Sequence, residues 1–241
     1  MTTAGKTVLV TGGNRGIGRA LVDEALSRGA ARVYAGTRQP FTHPDARVTT
    51  LLLDVTDVAQ IEAAAGQVGT LDILINNAGV APYDDLSDSV ALEQALTVNL
   101  FGTYRVTRAF LPLLTKSGGA ILNNVSTMAF APLPLTPAYS VSKAAMFSLT
   151  QSLRALLAGQ GVSVHAVLTG PVDTDMTRGF DIPKTSPGSV AHAVFDGLEN
   201  NEEDIFPDPM SQSVAEAWRG GFAKVLERQY AAIAAEVAAA A

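Results

Sequence analysis

Short β-branched runs alternate with longer amphipathic segments along most of the 241-residue chain. "KTVLVTG" reads as a first buried strand, followed by a helix from about Gly16 to Arg28. "ARVYAGT" and "RVTTLLLDV" are the second and third strands, separated only by "RQPFTHPDA". A parallel crossover usually needs a dozen or more residues, so this connection is abbreviated and its helix reduced or absent. "LDILINNAG" is a fourth strand, followed by a long helix over roughly residues 88 to 115. "GGAILNNVS" is a fifth, followed by a helix from about Pro137 to Ala158, and "GVSVHAVLTG" is a sixth. "EEDIFPD" forms a short seventh, and residues 211 to 238 read as one final helix. Repeated strand–helix–strand units predict an α/β fold, a doubly wound parallel sheet of about seven strands with helices on both faces. No linker or repeat divides it, so residues 1–241 form a single domain, with 211–241 as its helical extension.

Composition narrows the chemistry. The chain is 47% hydrophobic and 17% charged, with a net charge of −6 and scattered Lys and Arg, which gives nucleic acid or an anionic membrane little to bind. There is no cysteine, which excludes disulfides, thiolate nucleophiles and Cys-ligated metals. His43, His165 and His192 are far apart and form no metal-ligand pattern. "MTTAGK" leads straight into a strand, and no run of eighteen apolar residues occurs, so a soluble cytoplasmic protein is expected. The closing "AAIAAEVAAAA" reads as a frayed helix end.

The first strand–helix turn, "VTGGNRGIGRAL", carries Gly12, Gly16 and Gly18 with Asn14, Arg15 and Ile17 between them. Glycines permit close backbone approach, and the following helix N-terminus offers unpaired N–H groups to a pyrophosphate, so the turn points to a Rossmann-type dinucleotide site. The end of the second strand selects the cofactor in such folds: an acid holds the ribose 2′-OH of NAD, an arginine accommodates the 2′-phosphate of NADP. Here Thr37 replaces the acid, Arg38 follows, and Arg15 can approach from the glycine turn, a combination that favours NADP(H). Asp54 at the end of the third strand could accept from the adenine amino group with Val55 beside the ring, or it could simply start a turn.

Tyr139 and Lys143 in "AYSVSK" fall one helical turn apart on one face. With the glycine turn, "NNAG" at 76–79 and Ser126 thirteen residues before Tyr139, the chain strongly resembles the short-chain dehydrogenase/reductase family from Lys6 to about Pro209. The resemblance implies a catalytic set of Asn99, Ser126, Tyr139 and Lys143. Tyr139 would donate a proton to a carbonyl oxygen as hydride reaches the carbon, and Lys143 would lower the phenol's pKa and bond the nicotinamide ribose. Ser126 would polarise the substrate oxygen, and Asn99 would hold a water near Lys143. The resemblance also implies that Asn76, Ala78 and Gly79 surround the adenine ribose, with Asn76 tying neighbouring strands together. Where the family commonly has Pro-Gly after the sixth strand, this chain reads "LTGPVDTDMT". Gly170 is retained but Thr169 replaces the proline. The Val172 backbone is expected at the nicotinamide carboxamide and Thr174 at the pyrophosphate, with Met176 beyond.

The segments 127–137 and 172–183 should flank the reacting carbonyl. Met128, Phe130, Leu133, Leu135, Met176 and Phe180 make that pocket apolar, and Arg178 is the one arginine in either segment. A neutral hydrophobic ketone or aldehyde, or the corresponding alcohol, is the expected substrate. The aromatic C-terminal helix departs from the family's usual final strand, so a homodimer through the two long helices is expected over a tetramer. Two other readings stay open: an NADP(H)-binding sensor or scaffold without turnover, and an imine reductase or epimerase on the same scaffold.

Overall fold

The computed structural model describes residues 1–239; the last two alanines of the closing run lie outside the described residues. The seven strands are β1 (Thr7–Thr11), β2 (Arg32–Thr37), β3 (Val48–Leu52), β4 (Ile73–Asn76), β5 (Ala120–Asn124), β6 (Ser163–Val167) and β7 (Asp204–Ile205). They form one sheet in the order β3-β2-β1-β4-β5-β6-β7, and every pair is parallel. The central strands are buried along their whole length, which is why they read as continuous apolar runs rather than alternating ones.

Side chains still alternate between the faces. Val8 and Val10 join a core with α1 (Gly16–Ser27), while Leu9 between them joins the opposite core with α2 (Val58–Gln67). Phe110, in the second core, is fully buried, and removing such a side chain from water contributes about 1.5–3 kcal/mol. The link between β2 and β3 contains no helix, as its ten residues required.

Several elements differ from the sequence reading. Helix α2 had no separate assignment; its start is set by Asp57, whose side chain accepts from the Gln60 N–H. The single helix expected over 88–115 is three pieces: α3 (Val90–Ala95), a wide π-helical turn over Leu96–Gly102, and α4 (Thr103–Ser117). After α5 (Pro137–Leu157) and β6 comes α6 (Pro187–Glu199), also unassigned, capped by Ser186 with a proline at its first position. The final helix is two, α7 (Pro209–Arg219) and α8 (Phe222–Ala239), because Gly220–Gly221 interrupts it with the poorest helix formers after proline.

Helices α7 and α8 are fastened by a buried charge cluster. Lys224 meets Asp204 at 2.7 Å and Glu227 at 3.0 Å, while Arg154 of α5 meets Asp204 at 2.8 Å. The Trp218 indole N–H donates to the same Asp204 at 2.8 Å. The outer faces of α4 and α5, on which the expected dimer would form, expose Tyr104, Val141 and Leu156, and the π-helical turn before α4 exposes Phe101. No helix among the described residues is long and apolar enough to cross a membrane.

Candidate active site

The strand order reverses between β1 and β4, so the turns after those two strands open a crevice at the carboxyl edge of the sheet. The glycine turn lines one side of it. Gly12 and Gly16 have φ of 67° and 52°, the left-handed region. A Cβ on Gly18 would stand 2.0 Å from the Gly12 carbonyl oxygen, so the helix can begin this close to the strand only with glycine there. Arg15, the residue before α1, provides no side-chain cap, leaving the first N–H groups of the helix open to a ligand. Thr174 lies against Gly16: a Cβ there would be 3.2 Å from the threonine methyl. Uncapped N–H groups facing a threonine across a turn built on Gly12, Gly13 and Gly16 suit a pyrophosphate.

A belt of polar side chains joins the carboxyl ends of four strands. Thr11 Oγ1 accepts from the N–H groups of Asn77 (2.9 Å) and Ala78 (3.0 Å). Asn77 in turn donates to the Thr11 carbonyl at 3.0 Å and accepts from Asn124 at 3.0 Å, and Thr169 Oγ1 reaches Asn124 at 3.4 Å. Sequence reasoning singled out neither Thr11, Asn77 nor Asn124. Asn77 and Asn124 sit one place after Asn76 and Asn123, inside runs whose doubled asparagine was the available signal.

Asn76 itself is only half as expected. Its amide donates to Thr107 (3.0 Å) and Asn123 (2.9 Å), and Asn123 continues to Thr150 at 2.9 Å. It therefore ties β4 to β5 and α4. Its two amide protons are used internally, and its side-chain oxygen is buried with no partner among the described residues. Gly79 lets Asn99 approach, since a Cβ would be 3.1 Å from the Asn99 side-chain oxygen.

Asn99 occupies the π-helical turn, a local widening common at functional sites. Its side chain exchanges hydrogen bonds with both the N–H and the carbonyl of Val80 at 2.9 Å and donates to Ser142 Oγ at 2.8 Å. Both amide protons are thus committed to protein partners, so this side chain positions the segment after β4 and is not free to donate to a water beside Lys143. Ser142, fully buried next to Lys143, was missed; nothing in its sequence context marks it.

Helix α5 carries Tyr139 and Lys143. The Lys143 Nζ stands 5.5 Å from the centre of the Tyr139 ring and donates to the Asn124 carbonyl at 2.6 Å. Burial without a facing carboxylate pushes the ammonium down to about 7. Burial also pushes the Tyr139 phenol up to about 12, with a Ser126 hydrogen bond acting the other way. This corrects the expectation that Lys143 sets a depressed phenol pKa: both groups are shifted toward their neutral forms. Ser126, at the end of β5, donates to the Thr169 carbonyl at 3.3 Å and accepts the Met128 N–H at 3.1 Å. The structure thus brings Ser126, Tyr139, Lys143 and Asn99 to one place.

The remaining positions divide. Asn14, Arg15 and Arg38 are exposed and Ile17 half-buried; Arg15 lies 3.5 Å from Asp175 across the glycine turn. Thr37 is buried and donates to the Gln39 carbonyl at 2.6 Å, shaping the turn that presents Arg38. One Asp54 oxygen accepts twice from Thr56, so the turn role is real, and the other has no partner among the described residues. Val55 is 7% exposed and packs where Gly102 admits it, so its side chain offers an adenine ring little surface. Val172 is buried and paired with Thr185. Of the expected pocket, Met128, Leu133 and Phe180 are half-buried, and Leu135 and Met176 are exposed. Phe130 is half-buried too, and its packed side stacks on Trp218 at 4.5 Å and meets Phe147 edge-on at 5.4 Å. Tyr83, 5.7 Å from Phe180, was not singled out, nor was Asp84, whose carboxylate accepts the Ala138 N–H at 3.2 Å.

A parallel sheet with a glycine turn at its switch point, beside a Ser, Tyr and Lys cluster, is the architecture of a Rossmann-type α/β protein. Comparison with known proteins narrows this: the profile of the short chain dehydrogenase family matches residues 6–183, and the chain belongs to that family. A crystal structure of a short chain dehydrogenase from Burkholderia cenocepacia J2315 in complex with NADP is 35% identical, with a TM-score of 0.87, covering 95% of this chain and 98% of that one. The 1-deoxy-11-beta-hydroxypentalenate dehydrogenase of Streptomyces avermitilis is 34% identical over 233 residues, 86% of each protein. Short chain dehydrogenase tazN of Aspergillus terreus is 33% identical over 238 residues, 90% of this chain; the match spans only 51% of tazN. Matches to the Monascus relatives likewise span 66% of those proteins.

Proposed function

We propose that the protein is an NADPH-dependent reductase of neutral, hydrophobic ketones or aldehydes, working reversibly with the corresponding alcohols. The observation that carries this reading is the half-buried Tyr139 set between buried Ser126 and Lys143, beside a cradle suited to a dinucleotide. NADPH supplies the hydride when bound. The chain supplies everything else: the glycine turn, the first N–H groups of α1 and Thr174 hold the pyrophosphate, and Lys143 is within reach of the ribose side. A substrate oxygen between Ser126 and Tyr139 meets two hydroxyl donors as negative charge develops on it. The burial that holds the phenol neutral keeps its proton available for donation. The phenolate left behind is formed beside the Lys143 ammonium, whose attraction is strengthened by the low surrounding dielectric. The Burkholderia protein's NADP complex and the absence of an acid at Thr37 support NADP(H) over NAD(H).

The pH dependence follows from the two shifted groups. Reduction needs a protonated phenol and a charged ammonium. The phenol stays protonated until about 12, so the limiting group is Lys143, which loses its proton as pH rises through about 7. The kcat/KM for reduction should therefore be flat below that value and fall about tenfold per pH unit above it. A kinetic assay from about pH 5.5 to about pH 9, which brackets the Lys143 transition, reads this, and a profile level throughout would show that the charged lysine is not required.

Arg38→Asp places a carboxylate where a 2′-phosphate would lie. Losing a charge-assisted contact and adding repulsion should cut the preference for NADPH over NADH by about tenfold to a hundredfold. Measured kcat/KM with both cofactors tests the assignment; an unchanged ratio would count against it.

A further inference from the structure

The Thr169–Gly170 peptide unit is gripped from both sides. Its carbonyl oxygen accepts from the Ser126 hydroxyl at 3.3 Å, the Thr127 N–H at 3.0 Å and the Thr127 hydroxyl at 3.4 Å. Its N–H donates to the Asp208 carboxylate at 2.7 Å, a short, charge-assisted bond. Asp208 is 1% exposed, at the start of α7. A Cβ on residue 170 would stand 2.6 Å from the other Asp208 oxygen, so the carboxylate can reach this peptide only because the residue is glycine. That gives a local reason for Gly170 to persist although the preceding residue is Thr169.

We propose that Asp208 is a positioning residue for Ser126, acting through the Thr169–Gly170 peptide; this rests on the reductase reading above. A carboxylate on the amide N–H fixes the plane of the peptide and so where its carbonyl oxygen stands. That oxygen, with the Met128 N–H, sets where the Ser126 Oγ rests before its proton turns from the carbonyl to a substrate oxygen. The same aspartate accepts the Ser211 N–H at 3.0 Å and the Ser211 hydroxyl at 2.9 Å, so it also caps α7. Folding of the C-terminal helices and alignment of Ser126 are thereby coupled at one side chain.

Asp208→Asn separates the two roles. Asparagine has one acceptor oxygen; kept on the Ser211 N–H it still caps the helix, and its NH2 then faces the Gly170 N–H. We expect kcat for carbonyl reduction to fall about tenfold or more with NADPH affinity within about twofold. In a Ser126→Ala background the same change should have little further effect. Ser211→Ala, which weakens the cap but leaves the Gly170 contact, should lower the melting temperature with kcat within about twofold. Equal losses from Asp208→Asn in both backgrounds, or an unchanged kcat, would overturn the proposal. Amide NMR tests the relay independently of turnover. The Gly170 and Thr127 proton resonances, at the two ends of the peptide, should both move in Asp208→Asn, and a Thr127 resonance that stays put would overturn it. A wild-type protein inactive on every carbonyl compound would sink the reductase reading while leaving these resonances to decide the relay.

Discussion

Tyr139→Phe is expected to lose about 10²- to 10⁴-fold in carbonyl reduction while binding NADPH as the wild type does. The substitution removes one oxygen and keeps the ring over which the Lys143 ammonium sits at 5.5 Å, so the lysine keeps its neighbour and its place. What disappears is the proton donor, and with it one of two groups facing the oxygen on which charge develops. Ser126 remains and can turn its one hydroxyl proton from the Thr169 carbonyl to the substrate oxygen, but it polarises that oxygen without supplying the proton that Tyr139 gives up. The loss should therefore fall on kcat, with the cofactor dissociation constant unchanged, because no glycine-turn or Thr174 contact is touched. Steady-state kinetics and NADPH fluorescence titration on one preparation read both quantities. Turnover within threefold or so of wild type would show that Tyr139 is not the acid. Loss of cofactor binding in parallel would instead place the ring among the binding contacts.

The burial that makes this prediction sharp is also where the sequence was least informative. Tyr139, Lys143 and Ser126 could be found because one helical turn and a family spacing place them, and periodicity does not depend on depth. The direction of their pKa shifts depends on what surrounds them. From spacing alone Lys143 looked like the charge that acidifies Tyr139. In the structure no carboxylate faces the ammonium, and desolvation governs both groups. The same limit explains Phe130. Its place two residues past Met128 in an apolar loop suggests substrate contact, while the packing of its other side on Trp218, eighty-eight residues on, is something a local pattern cannot see.

The sheet was legible for the converse reason. Its central strands β1, β4 and β5 are buried on both faces, so each apolar run carries its own evidence. Helix α2 contains an alanine run with little polar contrast, and the Gly220–Gly221 break sits in an otherwise helix-favouring stretch. The widening at Asn99 follows from packing, with Val55 filling the place where Gly102 has no side chain. The polar belt of Thr11, Asn77, Asn124 and Thr169 was invisible for a stricter reason. Each member belongs to a different strand end, and only the assembled strand order brings them into hydrogen-bond range.

Gly18→Ala should be the most damaging single-methyl change in the cradle. A Cβ there would lie 2.0 Å from the Gly12 carbonyl oxygen and 2.6 Å from the Asn77 side-chain nitrogen. The first neighbour is backbone at the end of β1 and cannot rotate away. The second is the amide that donates to the Thr11 carbonyl, so moving it breaks the belt that holds β1 to β4. Helix α1 would have to withdraw from the strand, carrying its open N–H groups away from a bound pyrophosphate. Overpacking of this kind costs about 1–3 kcal/mol and often more where backbone must shift. Because the strain falls on the cofactor's own cradle, NADPH affinity should drop by about tenfold to a hundredfold or beyond. Thermal denaturation with and without NADPH separates the two effects: the variant should melt lower in both conditions and lose most of the stabilisation that cofactor gives the wild type. Alanine at Gly66, in α2, where a Cβ meets nothing within 4 Å, controls for a general cost of losing a glycine: it should raise the melting temperature slightly and leave the stabilisation by NADPH as in the wild type. A Gly18→Ala protein with normal NADPH stabilisation would mean that the cofactor does not lie against this turn.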